Sequence, residues 1–254
     1  MSTLTLAAAQ YSCVAGDLPA NIARHLAFMD QAAAHGVDLL VFPELSLTGY
    51  EPRLAPSLAL VPDDSVLQPL RERARQLGMD TVVGAPMRLP DSPNVLIAAL
   101  TLHGDGRQSL YFKQHLHPGE EQVFSPGHGG AALGYAGRQV ALAVCADFAQ
   151  PDHVAAAAAA GAQVYAASVL ISEGGYAHDS QLLQGYAREH PIGILLANHG
   201  GPSGGWACAG RSAFWTPGGA LLVAAQGAGD CLVIARSAAA GWQGQVVELS
   251  ALPC

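Results

Sequence analysis

The chain has little charge: Asp, Glu, Lys and Arg make up only 13% of its 254 residues, whereas 50% are hydrophobic and 6% aromatic. So few charges predict that much of the chain is buried, either in a many-layered core or in contacts between subunits. Positive charge is scarcer than negative, and the formal net charge is −8. The sequence therefore lacks the basic surface that a nucleic-acid backbone requires, and its acidic balance disfavours an anionic membrane surface.

Paired cysteines and metal motifs are also missing. The five cysteines form no CxxC pair, which predicts reduced thiols and a cytoplasmic location. There is no HExxH motif, and His115 and His117 alternate, so their side chains would point to opposite faces. Neither a metal nor a cofactor is therefore expected.

Long apolar runs are absent as well. The N-terminus has no basic region followed by an apolar stretch, so no signal peptide is evident. The most apolar stretch, 154–171, is interrupted by Gly161 and Gln163. It is typical of an alanine-rich helix followed by a strand, so no membrane span is expected.

Short apolar runs and helical spacing alternate along the chain in the order strand–helix–strand, then hairpins, then strand–helix–strand again. This mixture predicts sheets that are covered by helices on their outer faces. No linker or charge run divides residues 1–254, which are predicted to form a single domain, with the last ~15 residues as an arm or a dimer contact. The predicted strands are 3–10, 37–44, 81–89, 93–102, 109–113, 138–145, 163–171, 192–198, 220–225 and 231–237, and the predicted helices are 21–34, 64–77, 151–160 and 178–190.

Three of these strands end on a single reactive side chain. VDLLVFPE (37–44) ends on Glu44, SLYFK (109–113) on Lys113 and RQVALAVC (138–145) on Cys145. Ligand sites of α/β proteins lie at the carboxyl ends of strands. A carboxylate, an ammonium and a thiol that meet there can activate a cysteine nucleophile against a carbonyl group.

Each of these residue types also has an ordinary structural interpretation. A lone cysteine is usually a small buried hydrophobe, a strand-end lysine is usually exposed, and Glu44 could be a turn acid. In the catalytic interpretation, burial raises the pKa of Glu44 and suits it as a base. Lys113 and the backbone N–H of Ala146 would then stabilise an oxyanion. Of the adjacent Glu120 and Glu121, one could hold Lys113 or the substrate, and the other would be solvated.

Together the segments resemble the nitrilase superfamily, the carbon–nitrogen hydrolases with a Glu–Lys–Cys triad. The similar segments follow the family's order from residue 5 to about 236: VFPELSLTGY (41–50), YFKQHLHPGEEQVFSPG (111–127), VCADFAQPDH (144–153, with Asp147 and Pro151-Asp152 in the acidic and Pro–acid positions), LLANHGG (195–201) and CAGRSAFWTPGGALL (208–222).

The resemblance implies an α/β fold, a four-layer α-β-β-α sandwich that pairs across its helices into a homodimer or a higher homo-oligomer. It implies an amidase that cleaves a non-peptide C–N bond of a small amide through a cysteine thioester, with water as the second reactant. The catalytic residues would be Glu44, Lys113 and Cys145. Glu121 would position the substrate, and Ala146 would supply the oxyanion N–H.

The chain departs from the family pattern beside the thiol, where Ala146 and Gln150 replace frequent aromatic residues and widen the pocket. It is also short for a true nitrilase and lacks the Trp-Glu pair found after the cysteine there, which favours amides over nitriles. Alternatives with the same triad are an N-carbamoyl hydrolase or an acyltransferase. An inactive ligand-binding member of the fold is a further alternative.

The sequence does not identify the substrate. Loops at 50–60, 118–130 and 172–180 are predicted to form the pocket wall. Possible contacts in or near these loops are Arg53, Glu173, Tyr176 and His178, although each of these residue types is more often found at the surface.

Overall fold

The computed structural model describes residues 3–90, 92–135, 137–239 and 241–249. Its strands are β1 Leu4–Gln10, β2 Leu39–Val41, β3 Asp80–Met87, β4 Leu96–Leu102, β5 Gln108–Phe112, β6 Leu133–Tyr135, β7 Arg138–Val144, β8 Val164–Val169, β9 Gly193–Asn198, β10 Ala213–Trp215, β11 Leu221–Ala224, β12 Cys231–Ala238 and β13 Gly241–Glu248. Its helices are α1 Leu18–Ala34, α2 Ala55–Leu58, α3 Gln68–Leu77, α4 Pro151–Ala159 and α5 Tyr176–Glu189.

The strands form two mixed sheets. The first has the order β13-β12-β1-β2-β3-β4-β5, and the second has the order β11-β10-β9-β8-β7-β6. Strands β1, β2 and β3 are parallel, as are β7, β8 and β9. Each sheet therefore has a group of parallel strands whose carboxyl ends lie at the same edge, where α/β proteins place ligands.

The helices and sheets form four layers, and an apolar cluster fills each of the three spaces between neighbouring layers. One cluster lies between the sheets and includes Leu6 of β1 and Leu195 of β9. A second joins the outer face of the first sheet to α1 and α3, and a third joins the second sheet to α4 and α5. The predicted α-β-β-α sandwich is confirmed. The central strands have almost wholly apolar sequences because both of their faces are buried.

The helix ends follow local signals. Asp64 accepts the Val66 N–H at the start of a short 3-10 helix that leads into α3, and Gly78 ends α3 with a left-handed φ of 61°. Helix α1 begins at Leu18, three residues before its predicted start, because the Asp17 side chain caps it and a proline is tolerated in the first turn.

Part of the C-terminal segment that was predicted as an arm or a dimer contact forms a strand. Residues Gly241–Glu248 form β13, which pairs with β12 at the edge of the first sheet. This strand is mostly exposed or half-buried, so its sequence lacks the apolar period by which a strand is recognised. Residues 250–254 of the predicted arm lie outside the described residues. Within the described ranges, no helix is long and apolar enough to cross a membrane.

Candidate active site

Glu44 lies in a turn that begins beyond the end of β2, and two other elements hold that turn. His199, which follows β9, contacts the Glu44 carbonyl oxygen through its Nε2 at 2.7 Å. Burial lowers the pKa of His199 to about 4, so the ring is neutral at pH 7 and its Nε2–H donates. His25 of α1 contacts the Ser46 hydroxyl at 2.9 Å in the same turn. The Glu44 side chain, which is only 1% exposed, therefore has a fixed support.

The close approach of this turn to β3 requires glycine at position 84. A Cβ atom on Gly84 would lie 2.3 Å from the Leu45 nitrogen and 2.7 Å from the Pro43 carbonyl oxygen. The Gly84 carbonyl oxygen accepts the Leu47 N–H at 2.9 Å. The missing side chain thus lets the backbone of the Glu44 turn pack directly on the sheet.

Cys145 begins a one-turn 3-10 helix directly after β7. Its φ of 43° lies in the left-handed region, which costs a non-glycine residue roughly 1–2 kcal/mol. Strain of this kind is typical of functional sites, where the surroundings dictate the backbone. The turn presents the thiol to a cavity and places the Ala146 N–H in the first helical turn, where N–H groups have no intrahelical acceptor.

The buried carboxylate of Asp147 connects the cysteine turn to the lysine segment. Its Oδ1 accepts the backbone N–H groups of Gln114 and His115 at 3.0 and 2.8 Å. Its Oδ2 accepts the Val144 N–H at 3.0 Å and the Tyr111 hydroxyl at 2.7 Å. One side chain therefore fixes the nucleophile relative to the lysine.

Lys113 is the only lysine of the chain, and it is 1% exposed. Its Nζ donates to Glu44 Oε1 at 2.6 Å and to Glu120 Oε1 at 2.8 Å. An ammonium group has three N–H donors, and among the described residues these two carboxylates are its side-chain partners. The third donor is available to a negatively charged oxygen that develops beside it.

Burial raises the pKa of Glu44; the Lys113 ammonium opposes this effect, and the nearby Glu120 carboxylate adds to it. The Glu44 Oε2 atom is buried and has no hydrogen-bond partner within the described part of the chain. An unpaired buried carboxylate oxygen is costly and calls for an explanation. A proton acceptor provides one, because a carboxylate with a raised pKa is a better base.

Burial also raises the pKa of the Cys145 thiol well above its usual value; the Glu44 carboxylate adds to this effect, and Lys113 opposes it. The resting cysteine is therefore a neutral thiol, which is a weak nucleophile. It needs a base during attack, and the carboxylate that interacts with the thiol is that of Glu44. The three residues identified from the sequence thus meet in one cluster.

The structure corrects the choice between the two adjacent glutamates. Glu120 is 3% exposed, contacts Lys113 and accepts the Tyr50 hydroxyl at 2.8 Å and the His117 N–H at 2.7 Å. Glu121 is exposed, and its carboxylate accepts the Gly119 N–H. A 3-10 turn at 120–122 directs the first carboxylate inwards and the second to solvent, so Glu120 rather than Glu121 lines the cavity.

A cavity of about 470 Å³ opens in front of these side chains, and Glu44, Glu120, Cys145 and Ala146 form part of its wall. The loops predicted to contribute to the wall do so. The apolar part of the wall includes four large side chains that were missed from the sequence: Phe148, Leu170, Ile171 and Trp206. Leu170 and Ile171 directly follow β8, so the carboxyl end of that strand was the available signal.

The possible loop contacts lie outside the cavity wall, in agreement with their alternative interpretation as surface residues. Arg53, Glu173, Tyr176 and His178 do not line the cavity. Glu173 instead pairs with Arg211 at 3.2 Å, and the Tyr176 hydroxyl donates to the Arg211 carbonyl oxygen. Across the described ranges, no group of three or more His, Cys, Asp or Glu residues is arranged to hold a metal ion.

Comparison with known proteins agrees with this geometry. The family model of the carbon-nitrogen hydrolases matches residues 5–243. The chain belongs to the carbon–nitrogen hydrolase family. An (R)-stereoselective amidase from Pseudomonas sp. is 28% identical over 216 residues, which cover 82% of this chain and 75% of the amidase.

Solved structures of a nitrilase-superfamily amidase from Nesterenkonia sp. AN1 share the fold of this hydrolase. The form in complex with acrylamide is 29% identical, has a TM-score of 0.85, and aligns over 94% of this chain and 92% of its own. Another form, with 29% identity and a TM-score of 0.81, covers 91% of this chain and 89% of its own. It carries the acetamide moiety of fluoroacetamide on its active-site cysteine. A hydrolase that acts on amides through a cysteine is therefore supported for this family member.

In this carbon–nitrogen hydrolase, Glu120→Gln is expected to lower kcat/KM about 100-fold, because the hydrogen bonds that orient Lys113 change. The acid limb of the pH profile should also move to lower pH. The Glu120 charge helps to raise the pKa of Glu44, so its removal lets Glu44 stay ionised in more acidic solution. The measurement is kcat/KM between pH 5 and 9.

Glu121→Gln is the matched control, since it removes an adjacent but exposed carboxylate. Its kcat/KM should stay within about twofold of the wild-type value, as for most surface substitutions. An acid limb that shifts equally in both variants would contradict the assignment of Glu120 to the cluster.

Proposed function

We propose that the protein hydrolyses small primary amides to a carboxylic acid and ammonia through a thioester on Cys145. The observation that carries the proposal is the cluster of Glu44, Lys113 and Cys145. Glu44 and Cys145 line one cavity of about 470 Å³, which is large enough for a small amide, and Lys113 contacts Glu44 at 2.6 Å directly behind its wall. In the first step Glu44 takes the thiol proton while sulfur attacks the amide carbonyl carbon.

The tetrahedral intermediate places negative charge on the former carbonyl oxygen. The remaining N–H of Lys113 and the backbone N–H of Ala146 stabilise this oxyanion. Glu44, now protonated, gives its proton to the leaving nitrogen, the C–N bond breaks and ammonia departs. The acyl group stays bound to Cys145 as a thioester.

Hydrolysis of the thioester uses the same carboxylate. Glu44 removes a proton from a water molecule, whose oxygen attacks the thioester carbonyl, and the acid leaves as the thiol is reprotonated. Because one carboxylate serves as base and acid in turn, its raised pKa suits both steps. The hydrogen bonds from His199 and His25 hold the Glu44 turn and keep its carboxylate beside the thiol.

Ammonia release is the first test, with propanamide, butanamide, N-carbamoyl amino acids and the corresponding nitriles at equal concentration. The expected result is release from the two amides and little from the nitriles. Release from the N-carbamoyl compounds alone would replace the amidase by a carbamoyl hydrolase. If hydroxylamine is added and the hydroxamate forms faster than the acid, the result would point to acyl transfer. If none of the compounds releases ammonia, the result would support an inactive binding protein.

We also propose that the protein is a single-domain cytoplasmic enzyme and a homodimer that packs through the outer helices. Helix α4 supports the homodimer, because its outward residues are mostly alanines that present a weakly polar face. The cysteines support the cytoplasmic location, since Cys13, Cys145, Cys208 and Cys231 are all unpaired. Light scattering after size-exclusion chromatography would detect the dimer, and a 26.1 kDa particle would exclude it.

A further inference from the structure

The charged side chains at the cavity are acidic. Glu44, Glu120 and Asp179 line it, and neither arginine nor lysine is among the described lining residues. Lys113 lies behind the wall and is shared by two of these carboxylates. Three carboxylates and one shared ammonium give the cavity a net negative field towards whatever enters it.

Asp179 is the carboxylate that the proposed reaction does not use. It belongs to the first turn of α5, where an acid interacts favourably with the helix dipole. That role does not explain its position in the cavity wall. Burial raises the pKa of Asp179, and the nearby His178 and His117 oppose this. Its carboxylate is half-buried, and no side chain or N–H group in the described ranges donates a hydrogen bond to it, so it is available to a group that enters the cavity.

Trp206 is the second unexplained group of the same wall. It is 49% exposed, although a large aromatic side chain in a soluble protein usually gains by burial. Its backbone pairs with Ser203 in a tight turn, and the adjacent Gly204 has a left-handed φ of 58° and packs against the Tyr50 carbonyl oxygen. The turn thus holds the indole at the cavity. Indole faces attract organic cations more strongly than the other aromatic rings do.

We propose that the preferred substrate is an amide whose acyl chain carries a protonated amine, which Asp179 and Trp206 bind while Cys145 attacks the amide carbonyl. A carboxylate and an aromatic face both attract an alkylammonium ion, the first through charge-assisted hydrogen bonds and the second through a cation–π interaction. The same field disfavours amides that carry a carboxylate. This inference rests on the proposed amidase function and names its substrate class.

The test compares kcat/KM for three series of primary amides with three to six carbons: ω-amino amides, their uncharged alkyl counterparts and the ω-carboxy amides. Chain length is varied so that the ammonium can reach its site in at least one member. We expect the best ω-amino amide to exceed its alkyl counterpart at least about tenfold, which is the effect of one partly buried charged contact. The ω-carboxy amides should fall below the alkyl series.

Asp179→Asn should lower kcat/KM for the best ω-amino amide about tenfold and leave the alkyl amide within about twofold. Trp206→Leu, which retains apolar contact, should reduce the same preference severalfold. Glu189→Gln is the matched control, because it removes an exposed acid from the other end of α5, and it should leave all ratios unchanged. Calorimetry on Cys145→Ala gives the same comparison as binding constants, without turnover.

Alkyl amides that are hydrolysed as well as every ω-amino amide would overturn the cation site and leave the amidase intact. A preference for ω-amino amides that survives Asp179→Asn would also overturn it. Binding of ω-amino amides to Cys145→Ala without hydrolysis by the wild-type protein would instead retain the cation site and reject the amidase.

Discussion

Cys145→Ala is expected to lower kcat for amide hydrolysis by at least about 10⁴-fold, because it removes the atom that forms the thioester. No neighbouring group can replace it. Among the other described cysteines, Cys208 and Cys231 are buried, and Cys13 lies against His199 and Ser203 rather than in the cavity wall. The residual rate would come from binding and the oxyanion donors alone.

The fold should tolerate this substitution. The thiol borders a cavity and is only partly buried by its surroundings, and alanine accepts the left-handed backbone no worse than cysteine does. Cys231→Ala is the matched control, because it deletes a buried thiol, 1% exposed, at the first residue of β12. That change should cost about 1 kcal/mol of stability through a small void and leave kcat unchanged.

Two measurements check the expectation. Ammonia release gives kcat, and mass spectrometry of acid-quenched samples detects an acyl adduct on the wild-type protein and on Cys231→Ala but not on Cys145→Ala. Appreciable turnover by a folded Cys145→Ala variant would show that another group is the nucleophile. An adduct on a different cysteine would identify that group.

The reactive core of the site could be predicted from the sequence for a physical reason. Glu44, Lys113 and Cys145 each follow an apolar run, where a polar side chain is costly unless it has a partner. Strand ends of two facing sheets then bring such residues together. The same reasoning identified most elements, because strands buried on both faces and helices with one apolar face have strong patterns.

The other features of the fold and the site could not be predicted, because they leave no periodic pattern of apolar residues in the sequence. Glu120 and Glu121 are identical residues, and only the local turn, which begins at Gly119 with a φ of 97°, decides which one is buried. The cavity contacts Asp179 and Trp206 come from segments far apart in the chain, and their neighbours give no signal of a shared wall. Strand β13 was missed because an exposed edge strand needs no apolar alternation.

Lys113→Met is expected to destabilise the fold, and by more than either control substitution, Cys231→Ala or Arg73→Met. Glu44 and Glu120 are 1% and 3% exposed, and the substitution leaves two buried carboxylates without their shared ammonium. Breaking a buried ion pair by removing one partner typically costs about 3–5 kcal/mol. The free energy of unfolding at pH 7, measured with urea, should fall by about that amount. The kcat should fall by about 10³-fold, since the oxyanion loses its charged donor.

The stability deficit of Lys113→Met should depend on pH in a defined direction. Burial raises the pKa of Glu44 above that of the unfolded chain, and the ammonium that opposes this effect is absent from the variant. Below the pKa of the unfolded chain, near pH 4, Glu44 is protonated in both the folded and the unfolded state, and the penalty is small. As the pH rises, the unfolded state ionises first, so the deficit relative to the wild-type protein grows towards neutral pH.

Arg73→Met is the matched control for this experiment, because the Arg73–Asp30 pair is solvent-exposed. It should change the free energy of unfolding little, as exposed ion pairs usually contribute little, and its effect should not grow between pH 4 and 7. A Lys113→Met protein whose deficit is equally small, or independent of pH, would contradict the buried cluster. The two carboxylates would then be solvated or otherwise paired, and the base in the active site would not be the desolvated Glu44.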